Sequence, residues 1–131
     1  MHKCAALFVV AVGWCSFLLP ASARWKEEYA KVTPDERAWY ERQQTTQETR
    51  ARLHASWYQF CCDHADTVKA KYLLRQDHWF YQLDGETEWR TMPQDIVQSD
   101  VQTPHSNAVL FVDVTGHGFG PVCFFPGGTG T

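Results

Sequence analysis

The residues with the densest chemistry lie at 57–66, "WYQFCCDHAD", where two adjacent cysteines, a histidine and two aspartates fall within one short stretch. Several kinds of chemistry suit these types. Cys61, Cys62 and His64, joined by His117 or Cys123 from the far end of the chain, offer donors for a tetrahedral Cys/His metal site. Cys61 and Cys62 can exchange disulfides, and Cys62 with His117 or His105 supplies the parts of a Cys/His hydrolase. The plainer role is a structural half-cystine bonded to Cys123.

Spacing favours the plain role. Zinc sites draw on ligand pairs with residues between them, so that both side chains converge, whereas adjacent residues in extended chain point to opposite faces. No CxxC motif is present to lower a thiol pKa, and a Cys61–Cys62 bond would close a strained ring. Neither a metal ion nor any other cofactor is therefore expected, with Cys61, His64, His117 and Cys123 the weak candidates for one. The expected bond runs from Cys62 to Cys123, because Cys62 is nearer the β region, with Cys61 the alternative partner. Asp63 and Asp66 read as turn residues. "GHGFG" at 116–120 lacks the lysine and the following helix of a phosphate loop.

The compartment supports a disulfide. Residues 1–23 have the layout of a secretory signal: His2 and Lys3, an uncharged apolar run from Ala5 to Leu19, and Ala21-Ser22-Ala23 as a small-x-small cleavage site. The run is short for a membrane span of about 20 residues. Trp14 before Cys15 argues against a lipoprotein box. Cleavage would leave Arg24 as the first residue and Cys61, Cys62 and Cys123 as the remaining cysteines, an odd set in an oxidising space. The chain carries a net charge of −3, made more negative by loss of Lys3. It has no basic patch, which excludes nucleic acid and anionic membranes as natural partners. No stable membrane insertion is expected after cleavage.

The elements that must position these residues divide into two parts. Residues 24–56 read as a polar helical arm. "TPDE" at 33–36 is a helix start, with Thr33 as N-cap and Pro34 in the first turn, and the helix is expected to run into the fifties. Its middle, "ERQQTTQETRAR", has no large apolar residue, so it is expected to touch the domain only at its ends or to project. Residues 57–131 read as a β-rich domain closed by the disulfide. "VKAKYLL" alternates as a strand. "HWFYQL-DG-ETEWRTM" is a hairpin around Asp84-Gly85. Its favoured register pairs Gln82 with Glu86 and sets Trp89 opposite Trp79, on the face of Tyr81; a two-residue turn would instead pair Leu83 with Glu86. "PQDIV" suits a helical turn, and "AVLFVDV" (108–114) suits a central strand buried on both faces. "VCFF" is a last strand, and "PGGTGT" a mobile tail. The fold class is α+β: an N-terminal polar helix and a four- or five-stranded, mostly antiparallel sheet. Trp79, Tyr81 and Trp89 form either a carbohydrate- or peptide-binding platform or, as is commoner for such a set, the core face of the sheet.

Four segments, "CC-D-H-AD" at 61–66, "EWRTMP" at 88–93, "AVLF" at 108–111 and "CFFPG" at 123–127, resemble a group of small exported bacterial proteins found especially in α-proteobacteria and their phages. The resemblance spans roughly residues 57–128 and departs at Thr67, where members carry glycine. It implies one domain with the CC pair and the CF segment as its covalent ends, and it carries no catalytic role. The expected function is non-enzymatic: binding or structural work in the periplasm or outside the cell. An envelope protein would be met through residues 34–56 or the aromatic sheet face. The alternative is a thiol- or metal-dependent enzyme centred on Cys61, Cys62, His64, His117 and Cys123.

Overall fold

The computed structural model describes residues 32–128. The signal segment, Arg24 to Lys31 and the last three residues of the expected tail lie outside them. Helices α1 (Pro34–Arg42) and α2 (Gln47–Arg52) precede six strands: β1 (Ala65–Thr67), β2 (Ala70–Arg75), β3 (His78–Leu83), β4 (Arg90–Thr91), β5 (Val109–Asp113) and β6 (Pro121–Phe125). Short 3-10 turns occupy Gln94–Ile96 and Pro104–Ser106. No helix among the described residues is long and apolar enough to cross a membrane.

The class is α+β, with the strands in two three-stranded antiparallel sheets, β1–β5–β6 and β2–β3–β4, rather than in one. The division occurs inside one extended run. Val68 still donates its N–H to Leu110 of β5, whereas the Lys69 carbonyl already accepts from Asp84 beyond β3. The chain thus changes partner sheets between neighbouring residues, and each sheet takes one face of a shared core.

β5 and β6 are buried on both faces. Leu110 pairs with Phe124 and faces the second sheet, where Tyr81, Met92 and Ile96 complete the core and Tyr72 and Trp79 close on the Phe124 ring at 4.9 and 5.2 Å. Val109, Phe111, Cys123 and Phe125 face the other way. Trp39 of α1 lies 5.2 Å from Phe125, and Tyr40 lies 6.3 Å from Phe111. This helix–sheet–sheet layering explains the nearly unbroken apolar run at Ala108–Val112.

The hairpin register differs from both expected ones. Tyr81 pairs with Arg90 and Phe80 with Thr91, and Met92 donates to the Trp79 carbonyl at 2.9 Å. Met92 is only 1% exposed. Seating its side chain in the core beside Trp79 and Tyr81 sets the register, and the surplus residues go into a wider loop with Gly85 left-handed at φ 83°. Trp79 and Tyr81 therefore line the core while Trp89 stands exposed, so the three do not make a platform.

The polar arm is also corrected. It is two short helices, broken at Gln43–Thr46, where Gln44 bridges Phe60 in extended conformation. Thr46 caps α2 by accepting the Thr49 N–H at 3.0 Å. The middle of the arm is inside the protein, held by polar contacts instead of an apolar stripe. The Gln43 carbonyl accepts from Cys61 N–H, Thr45 donates to the Tyr58 carbonyl at 2.5 Å, and the fully buried Thr49 hydroxyl donates to Asp95 Oδ2 at 2.8 Å. Arg52 closes on the same carboxylate from the solvent side at 2.9 Å. The expected tail is anchored where it begins. Gly127, at φ 92°, lies so close to the Ser106 carbonyl that a β-carbon there would come within 2.6 Å of it.

Two stability predictions follow from these contacts. Thr49→Val keeps the shape but removes a buried hydrogen bond to a charged group, so unfolding in urea should show a loss of about 1.5–3 kcal/mol. Arg52→Ala, at a partly exposed pair, should cost less than about 1 kcal/mol; the reverse order would show that the ion pair, not the buried hydroxyl, holds the helix. The bond between Cys61 and Cys123 spans 62 residues, for which chain entropy gives about 4 kcal/mol. Cys123→Ser should lose about that much, and Cys62→Ser almost nothing.

Candidate functional site

The disulfide joins Cys61, not Cys62, to Cys123, with Cα atoms 5.9 Å apart. Both half-cystines are fully buried against the α1-facing side of β6. The expectation for Cys62 relied on distance along the chain, but the facing of adjacent side chains decides the pairing. With Cys61 directed inward and its N–H held by Gln43, Cys62 turns the other way, half-buried, its sulfur 3.8 Å from the Glu41 carbonyl. Burial, then Asp63 and, more weakly, Glu41, push the Cys62 thiol pKa up against a smaller lowering by its own backbone N–H. Such a thiol is poorly ionised at neutral pH.

The five-residue centre considered from sequence therefore does not assemble. Among the described residues no three histidine, cysteine, aspartate or glutamate side chains are grouped to hold a metal ion. His64 and His117, however, do come together, with ring centres 5.9 Å apart. Asp63 sits in the Phe60–Asp63 turn as expected, but Asp66 lies in β1 opposite Val112 and not in a turn.

Two loops bring the imidazoles into contact. His64 precedes β1, and its carbonyl accepts the Val114 N–H at 3.0 Å, which ties it to the end of β5. His117 sits in the glycine-rich loop from β5 to β6, where Gly116 and Gly118 take φ of 81° and 73°. Asp113 organises that loop from within. Its side chain is 1% exposed and accepts from the Thr115 hydroxyl at 2.6 Å, the Thr115 N–H at 3.1 Å and the Phe119 N–H at 3.5 Å. Burial acts to raise the Asp113 pKa, but these hydrogen bonds and the nearby His117 outweigh it and hold the carboxyl below its ordinary range.

The loop also orients His117. The Thr115 hydroxyl has one proton, and the ionised Asp113 can only accept, so that proton goes to Asp113. Thr115 Oγ1 must then accept from His117 Nδ1, its hydrogen-bond partner, while Asp113 Oδ2 lies 3.9 Å from the same nitrogen. The neutral ring is thereby held with Nδ1 protonated and the Nε2 lone pair free of that network. At 41% side-chain exposure His117 is open to solvent.

Aromatic rings surround the pair. Trp57 lies 5.2 Å from His64 and 5.3 Å from His117, Phe119 stacks on His117 at 5.1 Å, and Tyr58 lies 5.3 Å from His64. Trp57 is 51% exposed and Val114 49%. Tyr58 is fully buried, and its hydroxyl has no hydrogen-bond partner among the described residues. Burial, reinforced by Asp113 and Asp63, pushes its pKa well up, so it remains a neutral phenol rather than a base or nucleophile. The site is thus an imidazole–aromatic surface with one oriented nitrogen. Sequence reasoning named its histidines but missed the roles of Asp113, Thr115, Phe119 and Trp57. The available signal was the alternation Asp113-x-Thr115-x-His117 in a loop of glycines.

Comparison with protein-family models, curated proteins and solved structures finds no match to this chain.

The shifted thiol makes a prediction about reactivity. Iodoacetamide should label Cys62 in the native, oxidised protein more slowly at pH 7.5 than it labels an unstructured cysteine peptide. The rate should keep rising at pH values above the ordinary thiol range of about 8.5. Labelling as fast as the peptide at neutral pH, read by mass spectrometry, would mean an activated thiol.

Proposed function

We propose that this chain is an exported small protein of the bacterial envelope that binds a partner protein there, without chemistry of its own, through the surface around Trp57. The observation that carries the reading is the state of Trp57: half exposed, yet braced by Tyr58, His64, His117 and Phe119. A large ring already held at the surface loses little conformational freedom on docking, which is why tryptophan and tyrosine dominate binding hot spots. The two surfaces considered from sequence offer less. The 34–56 segment is tied inward at Gln43, Thr45 and Thr49, Trp79 and Tyr81 belong to the core, and Trp89 is exposed.

Export is supported by the signal-like residues 1–23 and by a long-range disulfide, a bond that persists in oxidising compartments. The thiol-centred enzyme has weaker support, because Cys61 and Cys123 are bonded to each other and Cys62 is a suppressed thiol.

Fractionation of cells expressing the full chain should place it in the periplasm or medium, shortened by about two dozen residues; a full-length cytoplasmic product would sink the export half. For the binding half, Trp57→Ala should lower the thermal midpoint by a few degrees through its lost ring contacts, leave the circular dichroism spectrum of the folded protein unchanged, and weaken retention of the envelope partner about tenfold or more, the size of a hot-spot loss. Equal retention by the variant would exclude this surface.

A further inference from the structure

We propose that His64 and His117 form a two-imidazole site for a borderline divalent transition-metal ion, Cu2+ in preference to Zn2+. The inference needs only the imidazole pair and the loop that orients it, and it is independent of any protein partner.

Ring separation is the first support. Imidazole nitrogens bind such ions at about 2.0–2.1 Å, which puts each ring centre about 3.2 Å from the ion. Two rings on one ion are then about 5.2 Å apart at a tetrahedral angle and about 6.4 Å apart when opposed. The observed 5.9 Å lies between these limits. Orientation is the second support. The Asp113–Thr115–His117 relay protonates Nδ1 and leaves the Nε2 lone pair available, the arrangement by which an outer-shell carboxylate fixes a ligating histidine. Asp113 takes this part without being a ligand, since its buried oxygens are occupied by the loop.

The environment fits a cation of this class. Trp57 lies within 5.3 Å of both imidazoles and borders the pair with an apolar ring. Imidazole donors without carboxylates or thiolates select copper, nickel and zinc over magnesium and calcium. Copper leads zinc in the ordinary affinity order. With two protein donors, water would complete the coordination shell.

The test uses the full-length, oxidised chain and the metal ions alone. Titration with Cu2+ and Zn2+ by calorimetry should show one equivalent bound, with Cu2+ the tighter. At one equivalent of Zn2+ the ring resonances of His64 and His117 should shift, while those of His2, His54, His78 and His105 stay in place. His117→Ala, at an exposed position, should abolish the one-equivalent isotherm. Thr115→Val, which keeps the ring but removes its orienting oxygen, should weaken binding by about 10- to 100-fold, with an unchanged circular dichroism spectrum. An isotherm unaltered in His117→Ala, or His64 and His117 resonances unmoved at one equivalent, would overturn the site. Either result leaves the docking role of Trp57 standing, because that role is read from partner retention and not from metal.

Discussion

Double burial of the β5–β6 pair is the constraint from which the architecture follows. A two-stranded ladder carrying Val109, Leu110, Phe111, Val122, Phe124 and Phe125 cannot leave either face in water. Each face must be covered by a separate layer. The hairpin sheet covers one, through Tyr72, Trp79, Tyr81 and Met92, and α1 covers the other, through Trp39 and Tyr40. The disulfide at Cys123 then pins the segment leading out of the helical layer to the strand it covers. Burying one such aromatic or aliphatic side chain contributes on the order of 1.5–3 kcal/mol, so the two faces together outweigh the weak intrinsic stability of helices only nine and six residues long.

The helical layer shows how a polar sequence can still be interior. Between Trp39 and Tyr58 almost nothing apolar faces inward, yet Gln43, Thr45 and Thr49 are buried. Each exchanges a water hydrogen bond for one to the backbone or to Asp95, including a threonine-to-carboxylate bond of the stronger, charge-assisted kind. Docking by hydrogen bonds is geometrically stricter than docking by an apolar stripe. That strictness accounts for the break between α1 and α2, because a continuous helix could not present both Gln43 and Gln44 to the Phe60–Cys61 segment.

The same segment carries the surface where function is proposed. Trp57 and Tyr58 leave the helical layer and meet the β5–β6 loop, so the imidazole pair sits where the helical layer meets the end of the strand pair it covers. Asp113 is pivotal there. Its carboxylate fills the loop interior, and that one group both shapes the glycine turn and sets the tautomer of His117.

Several features were legible in the residues alone because they are local. The two-face apolar run of β5, the strand at His78–Leu83, the helix start at Pro34, the 3-10 turn after Pro93 and the opposed facing of Cys61 and Cys62 all follow from short-range sterics and periodicity. Other features required the tertiary structure. The β2–β3 turn is made by Gln76 and Asp77, both left-handed at φ 51° and 64° without a glycine to announce it. The hairpin register follows a core seat for Met92, and the pairing of Cys61 follows which face of its segment meets β6. The His64–His117 contact joins residues far apart in the chain. The amino-acid order determined which segments must be buried and which side chains share a face, since those depend on neighbours in the chain. Only the assembled layers decided which buried face met which, because that choice rests on packing and hydrogen-bond geometry between segments that the sequence does not place side by side.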